Sequence, residues 1–231
     1  MFASISGRAM SVLLPMGFCL TACGVLSGAE DWYAEERTLY GGIPVQVRFT
    51  PRDDVLATAA WGALTAFDDL ANDWRDDSQI GKINAGGPGT YQLSPELAEM
   101  FALSERMRTA TDGAFEITVG PLRRMWRGAE KNGHWPTPEA IATVRLSIGP
   151  SAYTRAGSEL RVLRPGVKFD FGGIKGHAID AAAAILRRGG TRAALIQISG
   201  ETAGWGISPR GQAHKIAVPN PDAPDDLERM W

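Results

Sequence analysis

The stretch that most constrains this chain is Phe169-Asp170-Phe171-Gly172-Gly173-Ile174-Lys175-Gly176-His177-Ala178-Ile179-Asp180. Val167 to Phe171 reads as an extended apolar run. Two glycines and a Lys-Gly step follow, and then an Ala-rich helix from Ala178 to Arg188. Strand, glycine turn and helix together turn backbone N–H groups and a helix N-terminus toward an anion. Glycine lets the main chain approach a ligand with no Cβ in the way. Asp170 and Lys175 place opposite charges at the ends of the turn. The bland alternative is a plain tight turn. The spacing is neither a Walker A loop nor a GxGxxG fingerprint.

Upstream, Thr38 to Phe49 reads as a strand pair bent at Gly41-Gly42, with Val45, Val47 and Phe49 on one face. Asp53 to Trp74 reads as an amphipathic helix, its stripe being Leu56, Ala60, Leu64, Phe67, Leu70 and Trp74. Ser94-Pro95-Glu96 starts a second helix with Ser at the cap and Pro in the first turn. Its inward positions are Leu97, Met100, Leu103 and Met107. After Gly113 a short strand is expected, then Gly120-Pro121-Leu122. Trp126 and Trp135 read as core or rim. Thr137-Pro138-Glu139 opens a capped helix to Val144, and a hairpin turns at Gly157-Ser158. Arg192 to Ser199 and His214 to Val218 read as strands, with Gly189-Gly190 capping the Ala-rich helix. Helices mixed with hairpin-connected strands, without strict βαβ alternation, make the fold class α+β.

The chain has 231 residues and 44% hydrophobic content, enough for one sizeable core. A net charge of −2 argues against a nucleic-acid partner. Both cysteines, Cys19 and Cys23, lie in the first segment, so the rest offers no zinc or disulfide framework. Arg8 and the apolar run Met10 to Leu20 form a secretory-type leader too short for a confident membrane span. Leu20-Thr21-Ala22-Cys23 resembles a bacterial lipobox, with Cys23 as the lipidated residue. An ordinary signal cleaved near Ala22 is the alternative. Either way the chain is expected on the periplasmic side of a bacterial membrane. With lipid on Cys23, it is anchored there without spanning the bilayer. The expected organisation is leader 1–23, tether 24–36, domain 37–221 and acidic tail 222–231.

A second segment, Thr111-Asp112-Gly113-Ala114-Phe115-Glu116-Ile117-Thr118-Val119-Gly120-Pro121-Leu122, matches T-x-G-A-F-D-x-T-x-G-P-L except for Glu at the acidic position. With the Asp170–Asp180 stretch, which resembles D-x-G-G-I-A-K-G-x-A-x-D, it is similar to the ApbE family of FAD:protein FMN transferases. Asp73 to Asn84 resembles that family's aromatic-x-x-D-S-x-I-x-x-I/L-N loop, with Trp74 at the aromatic position. Gly200 to Gly206 resembles its G-G-(D/N/E)-x-x-x-x-G loop. The similarity runs from about residue 38 to 221.

The resemblance implies a single ApbE-like domain of mixed sheet and packed helices. It also implies FAD as substrate, Mg²⁺ across the diphosphate, and an acceptor protein whose threonine receives FMN. Trp74 would stack on the flavin, the alternative being a cap on helix packing. Ala114, Phe115 and Glu116 would line its pocket, Asp170 would contact the nucleotide, and Lys175 would sit near its charged part. Gly173 would give a backbone carbonyl to the metal. Two departures stand out. The turn Gly173-Ile174-Lys175 is one residue shorter than the family pattern, which rotates a following helix by about 100° unless the loop absorbs it. Family members also continue for roughly another hundred residues, carrying H-I-x-P-x-T-G and D-A-x-x-T segments, beyond a minimal domain. This sequence ends at Trp231 without them, so the domain is expected to be incomplete. A non-catalytic FAD-binding lipoprotein and an inactive truncated copy are the alternatives to a working transferase.

Overall fold

A computed structural model describes residues 31–220 and 223–230. The leader, Cys23 and most of the expected tether lie outside the described residues. The fold is α+β, as expected. Its main sheet is antiparallel, in the order β1-β2-β6-β7, from β1 (Tyr33–Leu39), β2 (Ile43–Thr50), β6 (Ala193–Ile198) and β7 (Glu201–Trp205). Val45, Val47 and Phe49 pair with Ile198, Ile196 and Ala194, and all six are fully buried. That alternation is the period-2 pattern of a sheet with one covered face.

Helices α1 (Asp54–Ala71) and α6 (Lys175–Arg188) pack on each other and on this sheet. The side chain of Asp53 caps α1 by accepting from Leu56 N at 2.9 Å. Ala60, Leu64 and Phe67 of the expected stripe are buried, joined by Ala57, Trp61 and Ala71. The indole Nε1 of Trp61 donates to the Tyr33 hydroxyl, tying α1 to β1.

A smaller sheet, β3 (Gly89–Gln92), β5 (Glu159–Val162) and β4 (Tyr153–Ala156), runs in that order beside α2 (Gln79–Gly86) and α3 (Pro95–Ala110). Phe101 of α3 is the centre of an aromatic cluster. Its ring meets Phe169, Phe171 and Tyr153 edge-on at centroid distances of 5.1, 5.1 and 5.8 Å, the geometry that aromatic quadrupoles favour. Helices α4 (Gly120–Asn132) and α5 (Pro138–Arg145) lie against each other. Strands β8 (Ala217–Asn220) and β9 (Ala223–Met230) pair with each other.

Several expectations are corrected. The run Val167 to Phe171 is not a strand, and at Phe171 the backbone already leaves the extended region (φ −98°, ψ 10°). The Asn84 side chain takes the place of a neighbouring strand: its Nδ2 donates to Phe169 O at 2.9 Å and its Oδ1 accepts from Phe169 N at 2.7 Å. The strand expected after Gly113 is a 3-10 turn, Ile117–Val119, because the Glu116 carboxylate accepts from Thr118 N and closes the turn. Helix α1 stops at Ala71, short of Trp74, because Asn72 turns extended and its side chain bonds locally, donating to the Asp68 carboxylate and accepting from Trp74 N. Helix α6 starts at Lys175 instead of Ala178, led in by a 3-10 turn over Gly172–Ile174. Strand β1 begins at Tyr33, inside the expected tether, and β9 occupies most of the expected acidic tail. The last expected strand lies at Ala217–Asn220 and not at His214. Of the two readings of Trp126 and Trp135, core and rim, the rim one holds: they are exposed and touch each other.

Candidate functional site

The two glycine-bearing bends meet. A methyl group built on Gly173 would come within 2.9 Å of the Phe115 ring, so only glycine lets the 3-10 turn pass this close. The bends are also joined by a backbone hydrogen bond from Asp170 N to Ile117 O at 2.7 Å. Beside the junction opens a cavity of about 360 Å³. It is bounded by the β1–β2 turn, the end of α1, the loop after it, α4 and the 3-10 turn before α6.

Trp74, Asp170, Gly173 and Lys175 all line this cavity. Trp74 is half exposed and has Gly41 alongside it. The guanidinium carbons of Arg123 and Arg127 lie 5.1 and 4.7 Å from its ring centroid, within cation–π range. Phe115 reaches the site only through Gly173. Ala114 is exposed and away from the cavity. The Glu116 carboxylate accepts from Thr118 N, Thr118 Oγ1 and Arg108 Nε at 2.9, 2.7 and 2.8 Å, so it fastens its own turn and does not line the cavity.

Asp170 is buried. One oxygen accepts from Gly172 N at 2.8 Å and so shapes the glycine turn. The other lies 2.6 Å from Arg123 Nε. That contact is an ion pair by distance, but the Nε–H points past the oxygen and makes no hydrogen bond. Arg123 Nη2 donates to Asp73 at 2.6 Å, so one guanidinium bridges two nearly buried carboxylates. Lys175 Nζ donates to Gly172 O at 2.6 Å and pairs with Glu201 of β7 at 3.0 Å. The ammonium thus links the turn to the edge of the main sheet.

Asp73, Arg123 and Arg127 were not singled out from sequence. Asp73 adjoins the aromatic Trp74, and the arginines are spaced i, i+4 just after Gly-Pro-Leu, a spacing that puts both on one helix face. The cavity wall thus carries three cations, Arg123, Arg127 and Lys175, against two carboxylates, Asp73 and Asp170.

Burial pushes the Asp73 carboxyl above the usual aspartate value. Asp170 pushes the same way, while Arg123 and Arg124 pull it down. A carboxyl raised on folding favours the fold most when protonated. Its contribution is complete below about pH 4, the ordinary aspartate value, and is lost as pH rises through the folded value. The stability of the native chain relative to Asp73→Asn should therefore fall across that window. Denaturant midpoints measured at several pH values check this, and a flat difference would refute it.

An α+β fold with an open, cation-walled cleft bordered by an aromatic ring is what these residues build. The ApbE family profile matches residues 42–230, and the chain belongs to the ApbE family. It is 28% identical over 174 residues to the FAD:protein FMN transferase of Salmonella typhimurium, covering 72% of this chain and 50% of that protein. The chain spans about half the length of the curated relatives it matches. The fold is similar to that of the Pseudomonas stutzeri flavinyl transferase ApbE in its apo form. That match has a TM-score of 0.71 and 24% identity, and it covers 87% of this chain and 66% of that one. The flavin transferase ApbE of Vibrio cholerae matches with a TM-score of 0.73 and 22% identity, covering 86% and 68%.

Proposed function

We propose that the cavity binds FAD and that the chain works as an FAD:protein FMN transferase, passing FMN to a threonine hydroxyl of an acceptor protein. The observation that carries this reading is the meeting of Phe115 and Gly173 beside a cavity lined by Trp74, Arg123, Arg127 and Lys175. Trp74 offers a π-face to the isoalloxazine ring, which takes the place of a guanidinium now over the indole. The freed arginine and Lys175 meet the diphosphate, where charge-assisted hydrogen bonds are strongest. In the transfer, the acceptor oxygen attacks the phosphorus on the flavin side. The bond from that phosphorus to the bridging oxygen breaks, AMP leaves with that oxygen, and the hydroxyl proton passes to solvent water. Such phosphoryl transfer runs on positioning and charge neutralisation.

A magnesium ion would add neutralisation across the diphosphate. Gly173, the position expected to give it a carbonyl, lines the cavity. Asp73 and Asp170 are already bridged by Arg123, and among the described residues no group of three or more His, Cys, Asp or Glu is placed to hold a metal. These residues do not complete a magnesium shell. The engagement of both carboxylates with Arg123 favours a second reading, FAD retention without transfer.

Titration of the chain with FAD, followed by flavin fluorescence, tests the pocket. Trp74→Ala should weaken binding by about 1–3 kcal/mol, roughly 5–150-fold, and Trp74→Phe by less. Unchanged affinity in Trp74→Ala, or no binding by the native chain, would sink the proposal. Mass spectrometry of a threonine-bearing acceptor then separates transfer from retention.

A further inference from the structure

We propose that the exposed tryptophan pair at α4 is where the acceptor docks, and that the docking segment is acidic. This rests on the flavin-transfer reading, because it names the partner of the same site. Trp126 and Trp135 are 42% and 70% exposed, and their rings lie 5.7 Å apart at 53°. Single exposed apolar side chains are ordinary, whereas adjacent aromatic rings left in water mark a contact surface. The helix that carries Trp126 has 13 residues and fully buries only Gly120 and Ala129, and Arg124, Trp126, Arg127, Glu130, Lys131 and Asn132 are exposed.

The patch is continuous with the cavity mouth. Trp126 lies three residues after Arg123 on the helix, the spacing of neighbouring side chains, and Arg123 and Arg127 both line the cavity beside Trp74. A polypeptide resting on the tryptophans can therefore present a hydroxyl to the cleft. Charge sets its chemistry. Along this helix Arg124, Arg127 and Lys131 are exposed, against the single acid Glu130. A segment with an apolar residue for the indoles and carboxylates for the cations complements both features. Trp and Arg are also the residue types that most often dominate binding energy at interfaces.

The test uses the full chain, loaded with FAD, and matched peptides of equal length. Each carries a threonine and a leucine, with aspartate, serine or lysine at the flanking positions, and binding is read by fluorescence anisotropy. The aspartate peptide should bind at least about tenfold tighter than the serine peptide, and the gap should shrink with added salt. Trp126→Ala/Trp135→Ala should weaken the aspartate peptide about thirtyfold, and Lys131→Glu should weaken it as well, with FAD affinity unchanged in both. The inference is overturned if no peptide binds, if the lysine peptide binds as tightly, or if the double variant binds undiminished. It is also overturned if sedimentation shows a second copy of the chain covering the tryptophans. Failure of the flavin reading would appear separately, as loss of FAD binding by the native chain.

Discussion

Replacing Phe101 with alanine is expected to lower the unfolding free energy by about 3–5 kcal/mol, the usual cost of emptying a large buried aromatic site. Phe101 is fully buried and meets three other rings, those of Tyr153, Phe169 and Phe171. The cavity left behind cannot close easily, because Phe169 is also pinned by the paired hydrogen bonds of Asn84. The damage should reach the cleft, since Phe169 and Phe171 flank Asp170 in the chain. Urea unfolding should show a lower midpoint with an unchanged slope, and FAD affinity should fall although no ligand contact was removed. Phe101→Leu should keep most of the volume and cost under about 1.5 kcal/mol. Equal losses for the two variants would show that ring geometry and not filled volume stabilises the cluster.

The second large effect belongs to Asp170. Breaking a buried ion pair by removing one partner costs about 3–5 kcal/mol. Asp170→Ala should cost less, about 2–3 kcal/mol, because Arg123 keeps Asp73 at 2.6 Å. Part of that loss comes from Gly172 N, which would be left without its acceptor. Asp170→Asn retains an oxygen for Gly172 N and loses only the charge. It should therefore recover about 1 kcal/mol of stability relative to alanine. If Arg123 must leave Asp170 to meet a diphosphate, the asparagine variant binds FAD at least as well as the native chain, while the alanine variant binds worse. Thermal unfolding and FAD titration of both variants decide this. Identical behaviour would mean that the turn does not depend on its carboxylate.

Much of this architecture is written in local signals. The alternation Val45, Val47, Phe49 appears as the buried face of β2, and the caps at Asp53, Ser94 and Thr137 sit where their side chains accept from the first turns of α1, α3 and α5. These follow from backbone geometry and need no distant partner. Structure and local preference part where side-chain hydrogen bonds and packing, near or far in the chain, take over. Val167 to Phe171 has the composition of a strand, yet Asn84, some eighty-five residues earlier, takes its hydrogen bonds. Glu116 was assigned to the ligand because the resemblance marks that position, but Arg108 and Thr118 occupy its carboxylate. For Trp126 and Trp135 residue type leaves core and rim both open, and only packing decides for the rim.

Sequence alone established the fold class, the family resemblance and the two glycine-bearing bends, because these depend on residue type and spacing along the chain. The tertiary structure alone decided that Phe115 touches Gly173. It also decided that Arg123 bridges Asp73 and Asp170 across fifty and forty-seven residues, and that Trp74 faces a cleft and not the core. Pairings over such separations depend on how helices and sheets pack, and no local preference encodes them.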